Sequence, residues 1–232
     1  PRRPSGAGLV SADRPVLRVE DLRVTFRSEG REIPAVRGVS FDVLAGRTLV
    51  LLGESGSGKS VTARAILGLH PAGTVVSGRV DLSGVSLLGV PERRLAARRG
   101  TEMALVPQDP SGALDPLRRI GPQIAEVIRC HHVEPTRRAA RARVVDLLRE
   151  VGIADPRRVA GSYPHQLSGG MRQRSVIAMA VSCSPAVLIA DEPSSALDVT
   201  SQKMVIKMLK QLMENGLIGS LIFITHELPL LY

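Results

Sequence analysis

A chain of 232 residues, 44% hydrophobic and 23% charged, has the composition of an ordinary globular protein and the length to bury a substantial core. Its net charge of +9 invites a nucleic-acid reading, but three Phe, two Tyr and no Trp leave no aromatic platform for stacking bases, so no nucleic acid is expected as a partner. No window approaches the roughly 18 consecutive apolar residues of a membrane-spanning helix, so any work at a membrane needs partners that supply the spans.

Residues 1–15, rich in Arg, Pro, Ser and Gly and without an apolar run, read as a disordered lead-in and not as a signal peptide. Residues 16–26 alternate apolar and polar with strand period, interrupted at Glu20-Asp21. A polar connection over 28–34 follows, and 36–44 alternates again. Residues 48–52 are a continuous apolar run suited to a strand buried on both faces. A Gly/Ser loop and a helical pattern from Lys59 to about Leu69 come directly after it. Short strands are expected at 78–82 and 103–106, and arginine-rich solvated helix faces at 93–99 and 137–143.

From about 109 to 184 apolar residues recur at helical spacing, punctuated by Pro and Gly, which predicts a helical insertion in an α/β chain. Strand patterns return at 186–190 and 220–225, with a helix over 201–213 between them. Strands alternating with helices predict a largely parallel sheet. Two cysteines, Cys130 and Cys183, without a CxxC pair, fit a reducing compartment. In Cys130-His131-His132, successive helical side chains point about 100° apart and do not converge on one ion.

Gly53-Glu54-Ser55-Gly56-Ser57-Gly58-Lys59-Ser60, followed by Val61, satisfies G-x-x-x-x-G-K-[ST]. Glycines let backbone N–H groups turn inward around a polyphosphate at a helix N-terminus. Lys59 brings a point charge to the β- and γ-phosphates, and the Ser60 hydroxyl can ligate Mg²⁺. A buried strand before the loop and a helix after it supply the required context.

The apolar run before Asp191-Glu192-Pro193 is a second, weaker signal, roughly 130 residues after the phosphate loop. At a strand's C-terminal edge beside that loop, Asp191 can hold Mg²⁺ through its water shell, and Glu192 can polarise an attacking water as general base.

Leu167-Ser168-Gly169-Gly170-Met171, followed by Arg172-Gln173-Arg174, resembles the signature motif of ABC ATPases. Gln108 resembles that family's Q-loop residue, Ser195-Ala196-Leu197-Asp198 its D-loop, and His226 its switch histidine. The resemblance spans about 16–226. It implies an α/β ABC-type P-loop ATPase: a RecA-like parallel-sheet core, an antiparallel β-subdomain and a helical subdomain inserted over about 109–184. Two such domains would sandwich two ATP molecules head to tail. Residues 16–232 form this one domain, and the resemblance implies that it continues past Tyr232.

On the same resemblance, the backbone of Gly56 to Lys59 holds phosphate, while Ser60, Gln108 and Asp191 organise Mg²⁺ and water. Glu192 activates the water, and His226 contacts the γ-phosphate. Ser168, Gly169 and Gly170 act across the dimer, Asp198 of the D-loop is a further nucleotide-binding candidate, and Phe26 is the candidate to stack on adenine.

Within the family, the phosphate loop, the string from Asp109 to Glu126 and the string from Tyr163 to Arg174 resemble the dipeptide and oligopeptide importer branch. Nickel and glutathione importers share these strings; an exporter motor and a soluble ABC ATPase acting on nucleic acid are further alternatives. The branch implies two transmembrane permease subunits, a second ABC ATPase subunit, related or identical, and an extracytoplasmic substrate-binding protein. The chain would then sit on the cytoplasmic face of the membrane.

Overall fold

This computed structural model describes residues 14–28, 30–193 and 199–226. Two long strands, β1 (Pro15–Ser28) and β2 (Arg31–Leu44), pair antiparallel. The polar stretch expected to connect them is mostly strand: Ser28 lies opposite Arg31 and Phe26 opposite Ile33. The reversal is confined to a tight turn at Gly30, whose φ of 74° suits glycine. Polarity misled here because both faces of β2 lie open over residues 31–34, and open strands tolerate Glu and Arg. Strand β1 also begins at Pro15, within the stretch read as a lead-in.

The interruption at Glu20-Asp21 is a β-bulge and not a strand end. Leu17 and Val19 are buried, and so are Leu22 and Val24, so the alternation slips by one residue between the pairs. Asp21 absorbs the slip at φ 43°, with its N–H donated to Ser40 Oγ at 2.9 Å. On the other side, a Cβ on Gly78 would lie 2.4 Å from the Asp21 carbonyl oxygen, so only glycine lets β4 (Val75–Leu82) pass the bulge. This strand starts three residues before the expected 78. With β5 (Val85–Ser86) the first sheet runs β2-β1-β4-β5, antiparallel throughout.

The second sheet is parallel, in the order β3-β8-β7-β6, from β3 (Thr48–Leu52), β6 (Met103–Val106), β7 (Val187–Asp191) and β8 (Ser220–Thr225). Every residue of β7 and β8 is buried, as continuous apolar runs predict. The expectation that β3 is buried on both faces is not met: its ends are exposed and its centre half-buried. Among the described residues β3 is an edge strand with β8 as its one neighbour, so its outer flank has no cover.

Side chains leave the parallel sheet alternately to two cores. Val187, Ile189, Ile222 and Ile224 join the antiparallel sheet and α1 (Lys59–Ile66). Leu188, Ala190, Leu221 and Phe223 face the helices of the other side. Helix α1 stops before the expected Leu69, because Gly68 at φ 65° turns the chain and Pro71 follows. Helix α2 (Glu92–Arg98) covers the first core through Leu95.

The span from 109 to 184 folds into α3 (Ile120–Cys130), α4 (Arg137–Glu150), α5 (Pro156–Gly161) and α6 (Gly169–Ala180). Ile120, Ile124 and Ile128 of α3 meet Ala140, Val144, Leu147 and Leu148 of α4 in one core, the spacing that makes each helix amphipathic. Helix α7 (Val199–Glu214) returns the chain to β8. No helix among the described residues is long and apolar enough to cross a membrane.

Candidate functional site

Each strand of the parallel sheet ends beside one of the motifs. The register aligns Leu52 with Thr225, Ile224 with Asp191, and Val106 with Ala190, so four C-terminal ends finish level. The phosphate loop follows β3, His226 follows β8, Asp191 closes β7 with Glu192 next, and Gln108 lies two residues past β6. Ligands of open parallel sheets bind at this edge, where loops converge and helix N-termini point.

The loop itself is built from left-handed glycines, Gly56 at φ 81° and Gly58 at φ 92°, the latter the N-cap of α1. Gly58 also has no room for a side chain: a Cβ there would lie 2.6 Å from the Ala35 carbonyl oxygen. Lys59 folds over the loop and donates from Nζ to the carbonyl oxygens of Gly53 and Glu54, at 2.6 and 2.7 Å. The ammonium is thus held at the mouth of the turn, where a phosphate would meet both it and the inward N–H groups.

Ser60 Oγ donates to Asp191 Oδ1 at 2.9 Å. Asp191 is only 3% exposed, and burial pushes its carboxyl pKa up, partly offset by the Ser60 bond. Two hard oxygens, one on a desolvated carboxylate, fit a Mg²⁺ site completed by phosphate oxygens and water. No group of three His, Cys, Asp or Glu that could hold a metal gathers among the described residues, this site included, and a Mg²⁺ site of this kind needs none.

A raised carboxylate pKa carries a stability consequence. Between the unfolded and the raised folded value, the folded state binds the extra proton, so stability falls as pH rises through that window. Ionising Asp191 therefore weighs against the nucleotide-free fold. Asp191→Asn is expected to raise the melting temperature of the nucleotide-free protein at pH 7 and to flatten its decline as pH rises through that window. It should also abolish Mg²⁺-dependent nucleotide stabilisation. Calorimetry across pH, with and without MgATP, checks both effects.

Glu192 stands at φ 45°, an uncommon backbone conformation for a non-glycine residue. Its N–H bonds to the Ile224 carbonyl at 3.0 Å, which ties the end of β7 to β8 and fixes the turn. Its Oε2 accepts from Gln108 Nε2 at 3.1 Å and lies 3.1 Å from His226 Nδ1. A carboxylate only accepts, so Nδ1 is the protonated ring nitrogen. Three residues far apart in sequence thus meet on one oxygen.

The loop, Gln108 and Glu192 line a cavity of about 690 Å³ together with Phe26. Sequence reasoning missed Ile33, Ala35 and Arg37, which line it as well. Ile33 is 53% exposed and sits directly across from Phe26, so the two form an apolar pair on the cavity wall. Reading that pair from sequence would have required knowing that the hairpin turn lies at Gly30.

Ser168 caps α6, accepting from Met171 N–H at 3.3 Å, and Gly169 and Gly170 have open space where a Cβ would stand. None of the three lines the cavity of the phosphate loop, so one chain does not bring these two motifs together. Asp198 lies outside the described residues.

Comparison with known proteins agrees with this geometry. The family model described as ABC transporter matches residues 36–195. The oligopeptide transport ATP-binding protein OppD of Mycobacterium tuberculosis is 47% identical over 214 residues, covering 92% of this chain and 35% of that protein. The dipeptide transport ATP-binding protein DppD of Lactococcus lactis is 43% identical over 218 residues, covering 94% of this chain and 62% of that protein. The chain therefore spans between about a third and two thirds of the length of these relatives. Among solved structures, a dimeric post-hydrolysis state of the ATP-binding cassette MJ0796 bound to ADP and Pi superposes with a TM-score of 0.81 at 25% identity, covering 92% of this chain and 89% of that one. On the family match over most of its length, the chain belongs to the ABC transporter family.

Proposed function

We propose that this chain is the ATP-hydrolysing motor of a peptide importer. The observation that carries the reading is the convergence of Lys59, Asp191, Glu192, Gln108 and His226 at the level ends of four parallel strands. The backbone of Gly56 to Lys59 and the Lys59 ammonium hold the β- and γ-phosphates. Ser60, Gln108 and Asp191 would hold Mg²⁺, which when bound supplies neutralisation of the phosphate charge.

Glu192 accepts the proton of the attacking water. Gln108 and His226 hold its Oε2, leaving Oε1 as the oxygen directed to that water. His226, whose Nδ1 lies against Glu192, contacts the γ-phosphate through Nε2. Ser168 to Gly170 complete the site of a second ATPase subunit, consistent with their separation from this chain's own cavity. Turnover therefore requires a head-to-tail pair.

Phe26 stacks on adenine, backed by Ile33. Phe26→Ala is expected to weaken ATP binding by about 1–3 kcal/mol, the worth of one stacked base. Phe26→Tyr should retain it. Inorganic tripolyphosphate, which has no base, should bind both variants and the wild type alike in titration calorimetry.

Peptide cargo is inferred from the relatives named for oligopeptide and dipeptide transport. The test is purification of the full-length protein from its native membranes in mild detergent. Two multi-span permease subunits, a related ATPase and a substrate-binding protein should accompany it, and peptide should stimulate ATP turnover in the reconstituted complex. A preparation carrying nucleic acid or ribosomes would leave the ATP chemistry standing and end the transport reading.

A further inference from the structure

Between residues 109 and 184 lie twelve arginines against seven acids, and no lysine. Several of these arginines gather at one place. A cavity of about 530 Å³ between α3, α4 and α5 is lined by Arg118, Arg129, Arg137, Arg141 and Arg157, with Glu126 as its one acid. Glu126 is taken: Arg118 pairs with it at 2.6 Å. No ion pair or hydrogen bond engages the other four side chains among the described residues.

The placement runs against ordinary helix electrostatics. Acids favour the first turn of a helix and bases the last. The first turns of α3 and α4 hold no acid, Arg118-Arg119 immediately precede the one, and Arg137-Arg138 open the other. Arg137 and Arg141 then stack one turn apart on the same face. Like charges this close, around a concavity and without counter-charges from the chain, are what an anionic ligand would relieve.

The floor of the cavity is apolar and small. Pro122, Ala125, Val145 and Ala160 line it, and α3 approaches α5 closely enough that a Cβ on Gly121 would lie 2.8 Å from the Ala160 carbonyl oxygen. From Gly121 to Arg129 the cavity follows α3 for about 12 Å. No aromatic residue lines it, so a nucleobase finds nothing to stack on, and it shares no residue with the nucleotide cavity.

We infer that this cavity binds the phosphate group of an anionic ligand with a short apolar body. Guanidinium forks pair bidentately with phosphate oxygens, and the apolar floor takes the carbon skeleton. A headgroup of an anionic phospholipid and a soluble phosphate ester share this chemistry. The inference stands apart from ATP hydrolysis, which uses other residues.

The test uses the full-length protein saturated with MgADP, so that the phosphate loop is occupied. Co-flotation with vesicles of phosphatidylcholine containing phosphatidylglycerol, against phosphatidylcholine alone, probes the lipid source; calorimetry with glycerol 1-phosphate probes the soluble one. At least one probe should bind, and Arg137→Glu/Arg141→Glu should weaken that binding at least about tenfold while MgADP affinity is kept. Ala125→Trp, which fills the floor without changing charge, should weaken it as well. Binding to the phosphatidylglycerol-containing vesicles alone names the lipid source, and binding to glycerol 1-phosphate alone names the soluble source. If neither probe binds, or if both variants bind as the wild type does, the inference fails. An acidic peptide that binds where both phosphate probes do not would overturn it in favour of a protein partner.

Discussion

Glu192→Gln is expected to lower steady-state ATP turnover by about 10²–10⁴-fold in the assembled complex, the range lost with a general base. ATP binding should survive. The amide keeps the size of the carboxylate and the Glu192 backbone bond to Ile224, but it cannot accept the water proton. It also changes the junction at Oε2, where Gln108 and His226 now both meet an acceptor. Rapid-quench and equilibrium-binding measurements on the same preparation separate the two effects. Unchanged turnover would remove Glu192 from the role of base and leave the convergence at its carboxylate as a structural lock.

Lys59→Ala should fail one step earlier. Hydrogen bonds to charged groups contribute about 1.5–3 kcal/mol, so loss of the Lys59 contacts should weaken ATP binding roughly ten- to a hundredfold, with turnover falling at least as far. The same substitution removes the bonds to the carbonyls of Gly53 and Glu54. A looser loop should therefore also show faster hydrogen exchange without nucleotide. Measured side by side, the two variants divide the site. A binding defect in Lys59→Ala with none in Glu192→Gln is the expected pattern, and the reverse pattern would interchange their roles.

The contiguous features were legible in the sequence. A phosphate loop is eight adjacent residues whose types are dictated by backbone conformation and charge, and its strand and helix lie on either side. The same holds for the apolar run into Asp191-Glu192 and for the cap-and-glycine start of α6 at Ser168. Periodicity gave the helical insertion, because α3 and α4 bury one face each and so write a 3.6-residue pattern.

Less legible was anything set by pairing between distant segments. Polarity hid the hairpin end at Ser28–Arg31, since an open strand and a loop have similar composition. The apolar run of β3 concealed its edge position among the described residues, because burial depends on which strands stand beside it. Ile33, Ala35 and Arg37 joined the nucleotide cavity through that same unseen register.

The sequence by itself determined which residue types stand together: the glycines, Lys59 and Ser60 of the phosphate-loop pattern, and the acidic pair after the apolar run of β7. Such runs are read from residue type and from local backbone geometry, which a few neighbours fix. Only the tertiary structure decided that β8 lies between β3 and β7, so that His226 and Gln108 meet on one oxygen of Glu192. It alone gathered arginines from three helices around one cavity. Strand order and helix packing are settled by burial of whole faces, and no single stretch of sequence carries that information.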